Sequence, residues 1–277
     1  MKTFKHFKLI GIAIVLALTF SSCTTSALMS GGAQLLQAAT LTDAQIQEYV
    51  SEYVAYSDQQ NKVLPENNAY TQRLKRITQG ITQANGIPLN FKVYQTNDVN
   101  AFACADGSVR VYTGLLDLMT DDEVLGVVGH EIGHVALKHS KKQFQQQLVH
   151  AAIKESLISV GGIVGALSAS QLGTLAEGLA TSSFSRSQET QSDEYGYNFL
   201  VQNGKNPWAM AMAFEKLQSL ESNAQTSNAV NNLFSSHPDV AKRIQIMSEK
   251  ATKDGYKRPT TSKTTTKSTT TKTSTKK

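Results

Sequence analysis

The segment Thr120–Ser140 limits most strongly what this chain can fold into, because it places His130, Glu131 and His134 within a largely apolar stretch. Thr120 has a glutamate three residues later, which is the pattern of a capping box, so the segment predicts one buried helix. Residues four apart share a helix face, and His130 and His134 can therefore present both imidazoles to one metal ion. Glu131 is rotated toward a water on that metal, as in the H-E-x-x-H helices of zinc hydrolases. A glutamate and two histidines in so apolar a helix favour this metal site over a pair of solvated histidines.

A catalytic zinc ion takes three protein ligands, so a third ligand must come from another segment. The segment Phe184–Val201 predicts a second helix, in which Glu189 and Asp193 are four residues apart and share a face. Glu189 is the candidate third ligand, and Asp193 is the candidate carboxylate that orients a ligand histidine. Taken alone, this segment would be a surface helix with solvated acids. Spacing also leaves three other glutamates open as the third ligand, namely Glu155, Glu177 and Glu194.

Four segments of the chain resemble the CaaX-prenyl-protease and HtpX-like zinc metallopeptidases, the M48 family of gluzincins. The segments are an Asn-Ala-Phe hairpin, the His-Glu-x-x-His helix, an E-x-x-x-D helix and a late His-Pro…Arg element. They correspond to Asn100–Asp117, His130–Ser140, Ser185–Glu194 and Ser236–Ile244. The chain departs from the family at Ala105-Asp106-Gly107, where Pro-Gly-Gly is usual, and at Ser192, where alanine is usual. Neither departure replaces a predicted zinc ligand.

The resemblance implies an α+β, mainly helical fold, which is a zincin-type metallopeptidase domain with a small β-sheet beside the His-Glu-x-x-His helix. It implies one zinc ion per chain, with His130, His134 and Glu189 as the ligands. Asp193 and Arg243 are expected behind the ligands, where they orient the first coordination shell. Other divalent metals also suit ligands of these types.

The predicted mechanism assigns Glu131 as the general base, which takes a proton from the attacking water and passes it to the leaving amine. The oxyanion needs a further donor, and the resemblance assigns this role to His237, with Arg243 as its partner. Two other roles stay open for His237: it could approach the zinc and block it, or cap a helix that starts near Pro238. His139 lies five residues after His134 and off the ligand face, so it is expected to be an ordinary surface residue, as is His150.

Three strand candidates precede the predicted active helix: Asn90–Asn97, Val99–Cys104 and Ser108–Thr113. The resemblance implies that an edge strand binds the substrate backbone by strand addition, through Asn100, Ala101 and Phe102. Such binding is independent of sequence and suits an endopeptidase whose partner is an unfolded or misfolded polypeptide. Two other functions stay open, a scaffold with little turnover and a hydrolase of a non-peptide bond such as an amide in cell-wall peptides. The intact ligand set argues against the scaffold.

Helical spacing of apolar residues predicts two earlier helices, Thr42–Gln60 and about Asn67–Asn85. Residues 151–180 are expected to form a helical hairpin that covers the active site. Its apolar part, Ile158–Ser168, is too short to span a bilayer.

The N-terminal segment predicts export and lipid anchoring. Three lysines precede the apolar run Leu9–Phe20, and Ser21, Ser22 and Cys23 follow it, so residues 1–22 form a lipoprotein signal peptide and Cys23 is the lipidation site. Residues 23–40 form a tether. Thr24 follows the cysteine, and the inner-membrane retention signal has Asp there, so the protein is expected on the outer membrane, facing the periplasm. Soluble secretion is the alternative.

The second cysteine, Cys104, is expected to be a small buried residue. A disulfide between the two cysteines is conceivable only if Cys23 carries no lipid. Zinc binding by Cys104 is the remaining alternative, because it lies near the active helix in sequence.

The net charge of +5 is concentrated at the two ends of the chain. Three lysines lie in residues 1–8 and seven Lys or Arg in residues 257–277, so the remaining residues carry a net charge of −5. A basic folded part is expected of a nucleic-acid enzyme, so no nucleic-acid partner is predicted. The metallopeptidase domain is placed at residues 41–256. The Thr/Lys-rich tail 257–277 is predicted to be disordered and solvated, or to be attracted to anionic envelope polymers.

Overall fold

The computed structural model describes residues 41–154, 167–221, 233 and 235–260. The helices in these ranges are α1 (Asp43–Gln60), α2 (Ala69–Ile77), α3 (Thr113–Leu118), α4 (Asp121–Ala136), α5 (His139–Lys154), α6 (Ala169–Thr181), α7 (Arg186–Gln202), α8 (Trp208–Glu221) and α9 (Val240–Lys253). The strands are β1 (Gln83–Ala84), β2 (Ile87–Pro88), β3 (Asn90–Tyr94), β4 (Ala101–Ala103) and β5 (Ser108–Tyr112). The predicted α+β, mainly helical fold is confirmed. The predicted signal peptide, Cys23, the tether, residues 155–166 of the predicted hairpin 151–180 and the tail beyond residue 260 lie outside the described residues.

The three predicted strands form a small mixed sheet with the order β3-β5-β4. The middle strand β5 pairs in parallel with β3 and antiparallel with β4, with Ala101 opposite Val111 and Ala103 opposite Val109. Val109 and Val111 are fully buried and belong to the core cluster that also contains the apolar side chains of α4. The sheet therefore lies beside the active helix, as predicted.

The predicted helix Asn67–Asn85 is wrong beyond its first half, because α2 ends at Ile77. Gly80 has a φ of 83°, which is outside the right-handed helical region. Asn85 and Gly86 have φ values of 48° and 82° and join β1 to β2, which are antiparallel. Asn-Gly is the strongest short-range hairpin signal, so the dipeptide itself could have indicated this turn.

The active helix begins as predicted, with a capping box between Thr120 and Glu123, but it ends at Ala136 and not at Ser140. Lys138 has a φ of 61°, the left-handed conformation that ends many helices, and there it is usually adopted by glycine. A new helix, α5, starts at His139. The break turns the chain, and this turn decides where His139 lies.

Helices α4 and α7 pack closely because small residues face each other between them. A Cβ atom added to Gly133 would lie 3.0 Å from Cβ of Tyr195 and 3.2 Å from Cα of Ser192. A Cβ atom added to Gly196 would lie 3.0 Å from the backbone nitrogen of His130. Protein interiors leave no room for such atoms, so the close approach depends on the missing side chains. It brings the first turn of α7, which carries Glu189, against the histidines of α4.

A second apolar cluster joins α1, α5 and α6. Tyr53 of α1 and Phe144 of α5 meet edge to face, with ring centroids 6.1 Å apart. The predicted first helix is confirmed, with Thr42 as its N-cap in a capping box. In the part of the chain that the structure describes, no helix has the length and apolar character needed to cross a membrane.

Candidate metal centre

Three buried side chains bring their donor atoms together between α4 and α7. Nε2 of His134 lies 3.1 Å from Nε2 of His130 and 3.3 Å from Oε1 of Glu189. Oε2 of Glu189 lies 3.6 Å from Nε2 of His130. Ligands bound tetrahedrally to zinc at about 2.0–2.1 Å are separated by about 3.3 Å, the edge of the tetrahedron. Two imidazoles and a carboxylate at these separations therefore fit one metal ion.

His237 contributes a fourth donor to the same cluster. Its Nδ1 atom lies 3.2 Å from Nε2 of His130 and 3.0 Å from Oε1 of Glu189. The donor atoms of all four residues lie within 4.8 Å of one another. Helix α9 begins at Val240 with Asp239 at its N-cap, so the alternative that His237 serves only to cap this helix is wrong. His237 is instead buried at the position of a fourth ligand.

Asp193 and Arg243 lie directly behind the donor cluster. Oδ1 of Asp193 is 2.9 Å from Nδ1 of His130, the ring nitrogen that faces away from His134. The Arg243 guanidinium donates two hydrogen bonds to Asp193, at 2.8 and 2.6 Å. Its third nitrogen lies 2.7 Å from Oε2 of Glu189. Arg243, which was predicted as a partner of His237, therefore pairs with the two carboxylates. Burial would raise the pKa of Asp193, but the Arg243 charge holds this pKa below its usual value.

The surroundings give the ligands the protonation states that metal binding requires. Burial lowers the pKa of His134 well below its usual value, so the imidazole is neutral near pH 7. Burial would raise the pKa of Glu189, but His237 and the hydrogen bond from His134 outweigh this and lower it. Neutral imidazole and ionised carboxylate are the forms that ligate divalent metals.

Glu131 is buried on the neighbouring face of α4, and one of its oxygens lies 3.5 Å from Nε2 of His237. Burial raises the pKa of Glu131, against the lowering effect of His237 and His130. A raised carboxylate pKa suits a group that must accept and return a proton near neutral pH.

Glu131 and His237 line a cavity of about 480 Å³. The edge strand β4 and the residue before it form one wall, which includes the predicted substrate-binding residues Asn100, Ala101 and Phe102. The other walls come from α1, α5 and α6. Of the predicted hairpin 151–180, the described part that lines the cavity is α6, through Ala176, Leu179 and Ala180, whereas residues 155–166 lie outside the described residues. Cys104 is buried beside this cavity and is not a member of the donor cluster, which confirms its predicted packing role.

The expectation that His139 is an ordinary surface residue is wrong. Its side chain is buried, and its Nδ1 atom lies 3.2 Å from Nδ1 of His134. The left-handed Lys138 ends α4 and folds His139 back onto the helix it would otherwise have extended. No signal in the sequence marks this turn, because lysine rarely adopts that conformation. His150, one of the two histidines assigned to the surface, is exposed as predicted.

Comparison with known proteins gives the same assignment as the site. The family model of peptidase family M48 matches residues 68–251. Metalloprotease LoiP of Escherichia coli (strain K12) is 42% identical over 250 residues, which cover 89% of this chain and 97% of that protein. Metalloprotease YcaL of the same strain is 37% identical over 227 residues, or 82% of this chain and 87% of that protein. A protease HtpX homolog of Thermococcus sibiricus is 27% identical over 234 residues, covering 70% of this chain and 78% of that protein.

The fold and the donor cluster define a metalloprotease. The chain belongs to peptidase family M48, since the family model covers most of it and two relatives match nearly its whole length.

Proposed function

We propose that this chain is a zinc-dependent metalloendopeptidase of the bacterial envelope that cleaves unfolded or misassembled proteins. The observation that carries the proposal is the donor set His130, His134 and Glu189, with Glu131 beside it at the bottom of a cavity. Imidazole and carboxylate ligands at tetrahedral separations favour zinc among the divalent metals.

A zinc ion held by these residues would polarise the scissile carbonyl and activate a water. Glu131 accepts the proton of the attacking water and returns it to the leaving amine. His237 lies within reach of Glu131 and donates to the oxyanion once its ring has withdrawn from the fourth ligand position. Asp193 and Arg243 hold His130 and Glu189 in place throughout.

The backbone of β4 supports binding of an extended peptide. Asn100 and Cys104 flank β4, and the Tyr112 N–H donates to the carbonyl of Asn100 while the Cys104 N–H donates to the carbonyl of Ser108. The hydrogen bonds to β5 therefore come from the even-numbered residues of this stretch. In an antiparallel pair the alternate residues point the other way, which directs the backbone groups of Ala101 and Ala103 to the free edge. The Ala101 N–H donates to the Asn100 side chain, a contact that a substrate strand would replace.

The side chains around the cavity suit unfolded substrates. Among its described lining residues there is no Lys, Arg or Asp, and many are aromatic or aliphatic. Such walls accept peptides with little regard to charge and favour the apolar segments that a folded protein buries. This composition supports a role in protein quality control.

Lipid anchoring on Cys23 would place this site at the outer membrane, facing the periplasm. The proposal rests on the basic and apolar segment that precedes Cys23. The cationic tail 257–277 would add attraction to anionic envelope polymers. Fractionation of cells after labelling with a radioactive fatty acid tests the anchor: label and outer-membrane location must both be lost in Cys23→Ser.

The experiment that tests the activity is degradation of casein by the purified full chain, with bound zinc quantified, beside Glu131→Gln. Cleavage by the wild type alone, with about one zinc per chain in both proteins, is the expected result. Zinc in both proteins without cleavage by either would favour a scaffold. Absence of zinc from both would contradict the metal assignment.

A further inference from the structure

His139 contacts the outer ring nitrogen of a metal ligand. It is the first residue of α5, only 7% exposed, and its Nδ1 atom lies 3.2 Å from Nδ1 of His134. Its other ring nitrogen, Nε2, lies 3.0 Å from Oε1 of Gln191 on α7. The imidazole therefore bridges the ligand helix and the helix that supplies Glu189.

The donor cluster determines the direction of these hydrogen bonds. Nε2 of His134 faces His130 and Glu189, so this nitrogen provides the lone pair for the metal. The proton of neutral His134 is then on Nδ1 and is donated to Nδ1 of His139. His139 in turn has its proton on Nε2 and donates it to the carbonyl oxygen of Gln191. Nδ1 of His139 also lies 3.3 Å from Oγ of Ser192, whose hydroxyl can donate to the same nitrogen. These contacts fit the Nδ1–H tautomer of His134 and the Nε2–H tautomer of His139.

The two histidine ligands differ in what orients them. His130 contacts the ionised carboxylate of Asp193, whereas His134 contacts an uncharged imidazole. Phe184 stacks on the His134 ring, with centroids 3.7 Å apart, and so fixes the plane of that ring. The rotation of the His134 ring within this plane is then determined by its Nδ1 hydrogen bond. Partners of this kind fix the tautomer and orientation of metal-bound histidines.

We propose that His139 is a positioning residue for the metal centre, which holds His134 with its Nε2 lone pair directed at the metal. The inference rests on the proposed function, because it requires that His134 binds the metal. Gln191 is the outer member of the same chain of hydrogen bonds, and it supports His139 from the protein surface.

The test compares His139→Asn with His139→Leu in the Glu131→Gln background, which prevents self-cleavage. Oδ1 of asparagine takes the place of Nδ1 and still accepts the His134 proton, whereas leucine offers no acceptor. Zinc affinity is measured by competition with a chromophoric chelator, and ligand geometry by the absorption spectrum of the Co²⁺-substituted protein. His139→Leu is expected to raise the zinc Kd about 10- to 100-fold and to alter the Co²⁺ spectrum. His139→Asn is expected to restore both readouts to within a few-fold of the parent.

Two further variants keep the outcome decisive. His150→Leu changes an exposed histidine of the same helix and must leave the zinc Kd unchanged. Gln191→Leu changes an exposed side chain, so it reports on the hydrogen-bond chain even if His139→Leu does not fold, and a shifted Co²⁺ spectrum is expected. Parent-like Kd and spectrum in His139→Leu, or in Gln191→Leu where the former is unfolded, would overturn the inference. A parent that binds no zinc would instead overturn the proposed function.

Discussion

The Nδ1 atom of His237 lies 3.2 Å from Nε2 of His130, at the position that a fourth ligand or a catalytic water would take around a metal ion. A site closed by four protein ligands is typical of structural zinc, whereas a catalytic zinc keeps one position open. The proposed reaction therefore requires His237 to withdraw, and the same imidazole then lies near the developing oxyanion.

Replacing His237 distinguishes its role as a fourth ligand from its role as a donor to the oxyanion. His237→Ala is expected to lower kcat on casein about 100-fold, because one oxyanion donor is lost, while about one zinc per chain remains on the other three ligands. His150→Ala, an exposed histidine, is the control and should retain parental kcat. A rise in kcat on removal of His237 would show that the residue only blocks the metal.

The carboxylate of Asp193 orients His130 and pairs with Arg243. Asp193→Ala is expected to raise the zinc Kd about 10- to 100-fold, because His130 loses its partner and the buried guanidinium loses one of its two carboxylates. Glu194→Ala, the next residue along α7 and exposed, is the matched control. Chelator competition on both variants measures the effect, and equal Kd values would contradict it.

The two histidine ligands were predictable because they follow a local rule, since helical periodicity puts His130 and His134 on one face. Glu189 and Asp193 share a face of α7 in the same way, but spacing left other glutamates open, and the choice of Glu189 came from the family resemblance. His139 was not predictable, because its position depends on a left-handed lysine, Lys138, that no sequence rule marks. The backbone conformation of one residue, Lys138, thus decides whether His139 is exposed or buried.

Contacts between distant segments were also beyond local rules. Arg110 of β5 is paired with Asp58 of α1 at 2.8 Å, across 52 residues of sequence. Periodicity identified each element but carries no information on which elements meet. The distance between α4 and α7 likewise depends on glycines such as Gly133 and Gly196. In the sequence alone, each of these glycines indicates only a low helix propensity.

The close packing of α4 on α7 makes a prediction about Gly133. A Cβ atom there would lie 3.0–3.2 Å from Tyr195 and Ser192, so Gly133→Ala should push the helices apart and move Glu189 away from His134. A loss of about 1–3 kcal/mol in the free energy of unfolding is expected, together with weaker zinc binding. Gly173→Ala is the control, because its nearest atom would be 3.7 Å away and alanine favours a helix. Chemical denaturation of both variants tests this, and equal stabilities would refute the packing argument.

Strand addition makes a prediction about the free edge of β4. The Ala103 N–H points away from β5, so Ala103→Pro removes a donor from the groove while the ladder to β5 keeps its hydrogen bonds. Casein cleavage should fall at least about tenfold, because one of the few backbone contacts to the substrate is lost. Phe102→Pro removes a ladder donor instead and should lower thermal stability. Parental casein cleavage by a folded Ala103→Pro protein would exclude substrate binding along this edge.

The Asp58 cluster predicts a dependence of stability on pH. Burial would raise the pKa of Asp58, but hydrogen bonds from Arg110, Lys92 and Tyr94 lower it from 3.8 to about 2. A depressed carboxylate pKa stabilises the folded state above the unfolded value, and the contribution disappears as pH falls from about 4 toward 2. With screening of a partly exposed pair, the contribution amounts to about 1 kcal/mol. Asp58→Asn should therefore be less stable than the parent in urea at pH 6, and the difference should shrink as the pH approaches 2. A stability difference that stays constant over this range would show that the charge of Asp58 does not stabilise the contact between α1 and the sheet.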